Sequence, residues 1–489
     1  MVPRDPLRIL SVECSSAVFE YLSASDVARC EGVSRGWGDF VRRWIVSFGL
    51  RLFYQHELDI HALSDPEERL QEYRRQVALR RNLKLGQPSS VRKYESAKSF
   101  TVSGKYGVWI KHNEGVFCQD LSPRADGSLH PVRQLDSVDP LASCYLAGHL
   151  LTLGANGHLL VRYPLEPRPG QEVRDTLYCL ESGRQLWSHD SRFPGYSDDD
   201  YAYIPLCVGE KRVYFGTVSS GSRPSRIRAY GLRSGDLLYD AETIAHTATH
   251  LGRPDTREYP YGHPLEILKV GKDEVLLAFK PDSKAAEWVA TIHLINGADG
   301  TLRQGIRIIH AGVPYVALST NCAEFAIVSH RSHHPIVKIQ TFACQNNGEF
   351  AASRVDLVDT QTACKAGLLA IDPFADCIVS LVGDRNIPHC AKLVECVDPK
   401  VVSSIREQAL KAALISPAPF RYLVATDPRQ ISLPPSSQRA RLRRRFPPKA
   451  AVNARRMRLR HGHRASLMCN DGDGFDVYTV YLFDFMPKP

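Results

Sequence analysis

Gly32, Ser34 and Gly36 spell G-x-S-x-G, the string that presents a nucleophilic serine on a sharp turn between a strand and a helix. Here Val33, Trp37, Val41 and Trp44 recur at intervals of four, four and three, one stripe of a helix, so the strand that such an elbow needs is missing. Ser34 is expected to have no nucleophilic role. His330, His333 and His334 are potential metal ligands, as are His389 and Cys390 with Cys396. Zinc takes about four ligands at tight spacing, and neither cluster has a second half nearby, so no metal is expected. Asp471 and Asp473 alternate with glycine like the opening of a calcium loop, but no later acidic ligand stands at the required distance. They read as a turn before a strand at Val477–Phe483, and Asp198, Asp199 and Asp200 read as a solvated acidic loop. No G-x-x-x-x-G-K-[ST] loop occurs to cradle a phosphate. With no convergent acid–base set, no catalytic residue and no cofactor are expected.

The elements that would position any site come next. At 489 residues the chain is long enough for two or three folding units. Its 43% hydrophobic and 24% charged residues are those of a soluble globular protein. No apolar run approaches the roughly 20 residues of a membrane span, and no signal-peptide pattern opens the chain. Thirteen cysteines without a C-x-x-C pair fit reduced thiols, hence the cytoplasm or nucleus. The net charge of +9 is local: Ser437–Arg464 holds eleven Lys/Arg and no Asp/Glu, leaving 51 basic and 53 acidic residues elsewhere.

Residues 6–44 carry three short apolar stripes. Val18, Phe19 and Leu22 mark the first helix. Ser25 is its successor's expected N-cap, with Asp26 favoured by the dipole and Val27 and Cys30 spaced i, i+3. The third helix carries Val33 to Trp44. Three helices this short bury too little to stand alone. Their residues, in order, resemble the F-box motif: Leu10 and Glu13, then Val18-Phe19-Glu20-Tyr21-Leu22, then Ser25-Asp26-Val27, then Val33-Ser34-Arg35-Gly36-Trp37. Ser11 departs from the family's proline. The resemblance covers about a tenth of the chain. It implies docking to a Skp-family adaptor, and through it to a cullin, with Leu10, Val18, Phe19, Leu22, Val27, Val33 and Trp37 forming the contact or the core beneath it.

Ser64 and Glu67 form an S-x-x-E capping box with Pro66 in the first turn, and Leu70, Tyr73, Val77 and Leu83 continue a helical stripe to about residue 85. From about residue 96 the pattern changes to short apolar runs between Gly, Asp, Asn and Pro, such as Tyr106–Ile110, Leu146–Leu153, Arg212–Val218, Glu274–Phe279, Glu324–Val328 and Asp376–Leu381. These are strands, with one short helix near Ser403–Leu414. A repeat runs through them: Tyr178–Trp187 aligns with Tyr230–Tyr239 and, more loosely, with Ile292–Leu302. Gly183, Gly235 and Gly300 supply its turns. The unit resembles the outer hairpin of a quinoprotein-like or WD-repeat-like propeller blade, and the turn clusters divide the region into about seven. A pair of β-sandwiches is the alternative.

The expected architecture is therefore an α+β chain of several domains: a three-helix F-box at 1–48, a helical connector at 49–95, and a mostly-β, propeller-like recognition domain at 96–489. A basic, disordered insertion is expected at about 434–466. Its Arg443, Arg444, Arg445, Arg455 and Arg456 would serve as a nuclear import signal, as a site for an acidic partner, or as a solvated loop. Nucleic acid is not an expected partner, since Phe446 is the one aromatic near these charges. The expected function is a non-catalytic adaptor of a Skp–cullin–F-box ubiquitin ligase that brings a protein substrate to another enzyme's active centre. The rival readings are a propeller scaffold outside any ligase and an enzyme using a central channel.

Overall fold

A computed structural model describes residues 9–54, 63–84, 89–111, 114–124, 126, 128–136, 151–165, 172–192, 202–218, 225–243, 266–281, 289–309, 313–319, 322–330, 336–359, 369–372, 374, 377–380, 454–460, 464–470 and 478–487. Helices come first: α1 (Val12–Glu20), α2 (Ala24–Cys30), α3 (Arg35–Trp44), a π turn (Ile45–Gly49), α4 (Leu50–Tyr54) and α5 (Pro66–Lys84). Each of the first three begins on a serine whose hydroxyl accepts an orphan N–H: Ser11 from Cys14, Ser23 from Asp26 and Ser34 from Trp37. The cap of α2 is thus Ser23, not Ser25. The helix starts two residues earlier than its apolar spacing suggested, and Ser25 instead pairs its hydroxyl with that of Ser23 at 2.9 Å. Likewise Asp65, not Ser64, caps α5, accepting from the Glu68 N–H at 3.1 Å.

The helix at 66–84 shares one core with the helices before it. Phe19, Val27, Val41, Trp44, Leu50, Tyr54, Leu70 and Tyr73 form one buried cluster, so α5 completes the core that three short helices lack. Tyr73 also donates its hydroxyl to the Ala24 carbonyl at 3.0 Å.

Strands follow. The first sheet holds β1 (Ser90–Ser103), β2 (Tyr106–Lys111), β3 (Gly115–Asp120) and β4 (Arg133–Asp136). The second holds β5 (Leu151–Leu153), β6 (His158–Pro164), β7 (Glu172–Cys179) and β8 (Arg184–Arg192). The third holds β9 (Ala202–Val208), β10 (Arg212–Val218), β11 (Ser225–Gly231) and β12 (Leu237–Thr243). The fourth holds β13 (Glu266–Val270), β14 (Asp273–Pro281), β15 (Val289–Asn296) and β16 (Leu302–Ile309). The fifth holds β17 (Val313–Leu318), β18 (Glu324–His330), β19 (Ile336–Cys344) and β20 (Phe350–Asp359). A pair follows, β21 (Leu369–Asp372) and β22 (Cys377–Ser380), and then β23 (Ala454–Arg460), β24 (Arg464–Asn470) and β25 (Tyr478–Asp484). Every recorded pairing is antiparallel between sequence neighbours except one: β1 also pairs with β25.

The second, third and fourth sheets each pack both faces, one against the sheet before and one against the sheet after. In β6, Leu159 and Val161 join Val108 and Ile110 of the first sheet, while Leu160 between them joins Val213 and Phe215 of the third. In β10, Tyr214 turns the other way, onto Leu276 and Ile295 of the fourth sheet. Leu277 then faces Phe325 and Ile327 of the fifth. Alternation with both sides buried explains why these strands read as unbroken apolar runs. Serial stacking of four-stranded meanders is the arrangement of a β-propeller rather than of paired sandwiches.

Two devices join neighbouring sheets. The fourth strand of one sheet donates to the last turn of the next. Trp187 Nε1 reaches the Leu232 carbonyl at 2.9 Å, Tyr239 the Gly297 carbonyl at 3.1 Å, and Arg303 the Gly348 carbonyl at 2.8 Å. The repeat's closing aromatic residues, Trp187 and Tyr239, are therefore the clasps. Gly235 takes φ +73°, and a Cβ there would lie 2.9 Å from the Trp187 ring, so its glycine serves both turn and clasp. The second device is a buried arginine. Arg162, 1% exposed, grips Asp175 at 2.7 and 2.6 Å and donates to the Tyr203 carbonyl of the next sheet at 2.8 Å. Arg464 repeats this with Asp484 at 3.1 Å and the Gly104 carbonyl at 2.7 Å.

Two sequence boundaries shift. The β region begins at Ser90 rather than at 96, because the first half of β1 (Ser90 to Tyr94) pairs with β25 before Ala97 to Ser103 pair with β2. The basic segment is also not one disordered insertion. Ala454–Arg460, which includes Arg455 and Arg456, is strand β23, registered on β24 from Ala454↔Cys469 to Arg460↔Arg464. Its Arg456-Met457-Arg458-Leu459-Arg460 alternation is the period of a strand. Arg443, Arg444 and Arg445 and the expected helix at 403–414 lie outside the described residues.

Candidate functional site on the N-terminal helical unit

The helical unit hangs on one residue of α1. Along that helix only Ser15 and Phe19 are buried, four apart and hence on one stripe. The Phe19 ring sits 6.1 Å from Trp37, 5.5 Å from Phe40 and 5.6 Å from Trp44, between centroids. Val27 closes the other side with no exposed surface. Glu31 then ties the unit together: it accepts from Arg42 Nε at 2.8 Å and from Arg74 of α5. Burial pushes its carboxyl up, but these two guanidinium groups more than offset that and hold it below the usual carboxylate range.

The seven residues that the motif marks separate into two duties. Phe19 and Val27 are core, and Leu22 and Trp37 are half-buried against it. Leu10, Val18 and Val33 stand in solvent. Ile9, Val12 and Tyr21 join them there, Tyr21 at 91% exposure. Ile9 and Val12 lie outside the motif's matched residues and Tyr21 within them, and Val12 and Tyr21 fall off the Ser15–Phe19 stripe by helical geometry, a signal that was readable. A short helix that buries one large side chain and exposes several apolar ones presents its outer face as a surface for association.

Other candidate chemistry finds little support. Ser34 is the N-cap of α3, its hydroxyl accepting from the Trp37 N–H at 3.3 Å, in a helix–turn–helix rather than a strand–turn–helix setting. His330 ends β18. His333, His334, His389, Cys390, Cys396, Asp471, Asp473 and Asp198 to Asp200 lie outside the described residues. Among the described residues no three His, Cys, Asp or Glu side chains gather as metal ligands. None of the described helices is long and apolar enough to cross a membrane.

No protein-family model and no curated protein matches the chain. Solved structures do resemble it. The Cps50 (Swd1) β-propeller domain of Myceliophteria thermophila is 11% identical with a TM-score of 0.38, over 81% of this chain and 98% of that one. The Dos1 propeller is 10% identical with a TM-score of 0.36, over 80% and 79%. An oligogalacturonate lyase in complex with manganese is 9% identical with a TM-score of 0.37, over 81% and 91%. The assignment of the β region rests on its own strand order and stacking.

Proposed function

We propose that the N-terminal helical unit is an F-box and that the chain is a substrate-recognition adaptor of a Skp–cullin–F-box ubiquitin ligase. The observation that carries this reading is the division of the motif. Its aromatic and β-branched core positions, Phe19 and Val27, hold the three helices together, while Leu10, Val18 and Val33 of the same motif are left bare with Ile9, Val12 and Tyr21. A Skp-family adaptor would occupy that face, as helices dock on apolar surfaces. Splitting the first sheet at Ala97 yields a seven-bladed ring, with the first half of β1 as the outer strand beside β23, β24 and β25, and β21 and β22 as part of the sixth blade. The ring would present its connecting segments to a protein substrate in the cytoplasm or nucleus and supply proximity rather than catalysis.

The test uses exposed residues. Phe19→Ala with Trp37→Ala would damage the core and so lose binding for the wrong reason. Val18→Asp with Tyr21→Asp leaves the core intact and is expected to abolish binding of the full chain to a purified Skp-family adaptor, read by calorimetry. Unchanged affinity in that variant would sink the reading in favour of a propeller scaffold outside any ligase.

A further inference from the structure

A second apolar surface lies past the motif. α3, the π turn and α4 run on from Arg35 to Tyr54 without a break. Along them Phe40, Trp44, Phe48 and Leu52 recur every four residues and form one stripe. α1 covers the first half, where Phe19 packs on Phe40 and Trp44. Nothing among the described residues covers the second half: Phe48 is 60% exposed and Leu52 47%. The π turn, a feature that recurs at functional sites, marks the boundary between the covered and bare halves.

Beside the bare half runs a polar row with the same spacing, Arg43, Ser47 and Arg51, all exposed. Arg42 and Arg74 are neutralised by Glu31, and Arg75 by Glu72. Arg43 donates to the Asp39 carbonyl at 3.2 Å, and neither it nor Arg51 meets a carboxylate among the described residues. An apolar pair flanked by two guanidinium groups that meet no carboxylate among the described residues fits a partner segment of apolar side chains bordered by carboxylates.

We infer, resting on the F-box reading above, that the adaptor seated on α1 continues along this stripe. An apolar helix of the adaptor lies on Phe48 and Leu52 and presents carboxylates to Arg43 and Arg51. This places part of the interface outside the motif and makes adaptor affinity depend on salt.

The experiment titrates the full chain with a purified Skp-family adaptor at low and high salt. Phe48→Ala with Leu52→Ala is expected to weaken binding by about tenfold or more, as truncated apolar anchors do. Arg43→Gln with Arg51→Gln is expected to weaken it at low salt and to flatten its salt dependence, because the paired charges are gone. All four residues are exposed, so melting temperatures should match that of the unaltered chain. If both variants keep normal affinity and salt dependence while Val18→Asp with Tyr21→Asp abolishes binding, the extension is overturned and the adaptor reading stands. If the unaltered chain binds no Skp-family adaptor, both fall.

Discussion

The helical unit and the sheets treat their apolar residues in opposite ways. In the sheets, side chains on both faces of the middle strands disappear between neighbours, and polar clasps add to that packing: Trp187, Tyr239 and Arg303 donate to turns, and Arg162 and Arg464 grip aspartates. The chain even uses its own β1 to meet β25 and leave fewer open edges. The helical unit builds one small core and leaves Val12, Val18, Tyr21, Phe48 and Leu52 outside it. The sheets confine their exposed large apolar residues to outer strands and turns, such as Leu237, Leu238 and Ile309, whereas the helical unit gathers its own on α1, the π turn and α4.

The sharpest way to break this contrast is to remove the closing strand. A fragment beginning at residue 96 lacks the half of β1 that pairs with β25, including Tyr94, whose ring lies 4.6 Å from Trp109 across the closing seam. A fragment beginning at residue 88 keeps both. The shorter fragment is expected to lose cooperative unfolding and to aggregate through the exposed edge of β25, while the longer one melts in a single transition. Equal melting of the two by calorimetry would show that the sheets do not depend on closure.

Within the helical unit, the contrast is between adjacent residues. Phe19→Ala should destabilise the unit by about 3–5 kcal/mol, the cost of emptying a core aromatic site. Val18→Asp should change stability by less than about 0.5 kcal/mol, as exposed substitutions do. Hydrogen exchange of the α1 and α3 amides separates the two, since it reads this unit apart from the sheets. A smaller effect is expected at a clasp. Gly235→Ala forces an L-residue to φ +73° and presses a Cβ against Trp187, for a loss of about 1–3 kcal/mol in denaturant unfolding.

Much of this was legible in the sequence, for physical reasons that differ by residue. The turn glycines at 183, 235 and 300 were visible because only glycine adopts that backbone cheaply, and they sit where the repeat placed them. Arg212–Val218 emerged with its bounds intact because a strand buried on both faces leaves an unbroken apolar run. The ring closure was not legible. Nothing local in Ser90 to Tyr94 says that their partners lie nearly 400 residues away, and Arg92, Lys93 and Glu95 read as connector. The Arg162–Asp175 pair was hidden for the same reason, since its worth depends on burial that only the neighbouring sheets provide. At the site, the motif named Phe19 and Val18 alike. The division of duty between them required knowing which side of α1 meets Trp37 and Trp44.

The gentlest probe of the contrast is acid. Glu31 is an ionic link between α5 and the first three helices, and its folded carboxyl titrates below the ordinary range because Arg74 and Arg42 donate to it and offset its burial. A depressed folded pKa contributes stability that is fully present above the unfolded value of about 4.3 and lost as pH falls through the folded one. Protection of the α5 amides against exchange is therefore expected to decline as the pH is taken from about 5 to below the folded pKa. Glu31→Gln should remove most of that dependence and leave protection near the acid level throughout. If α5 protection in the unaltered chain stays constant across this window, Glu31 does not couple the helices, and the unit is held by its apolar core alone.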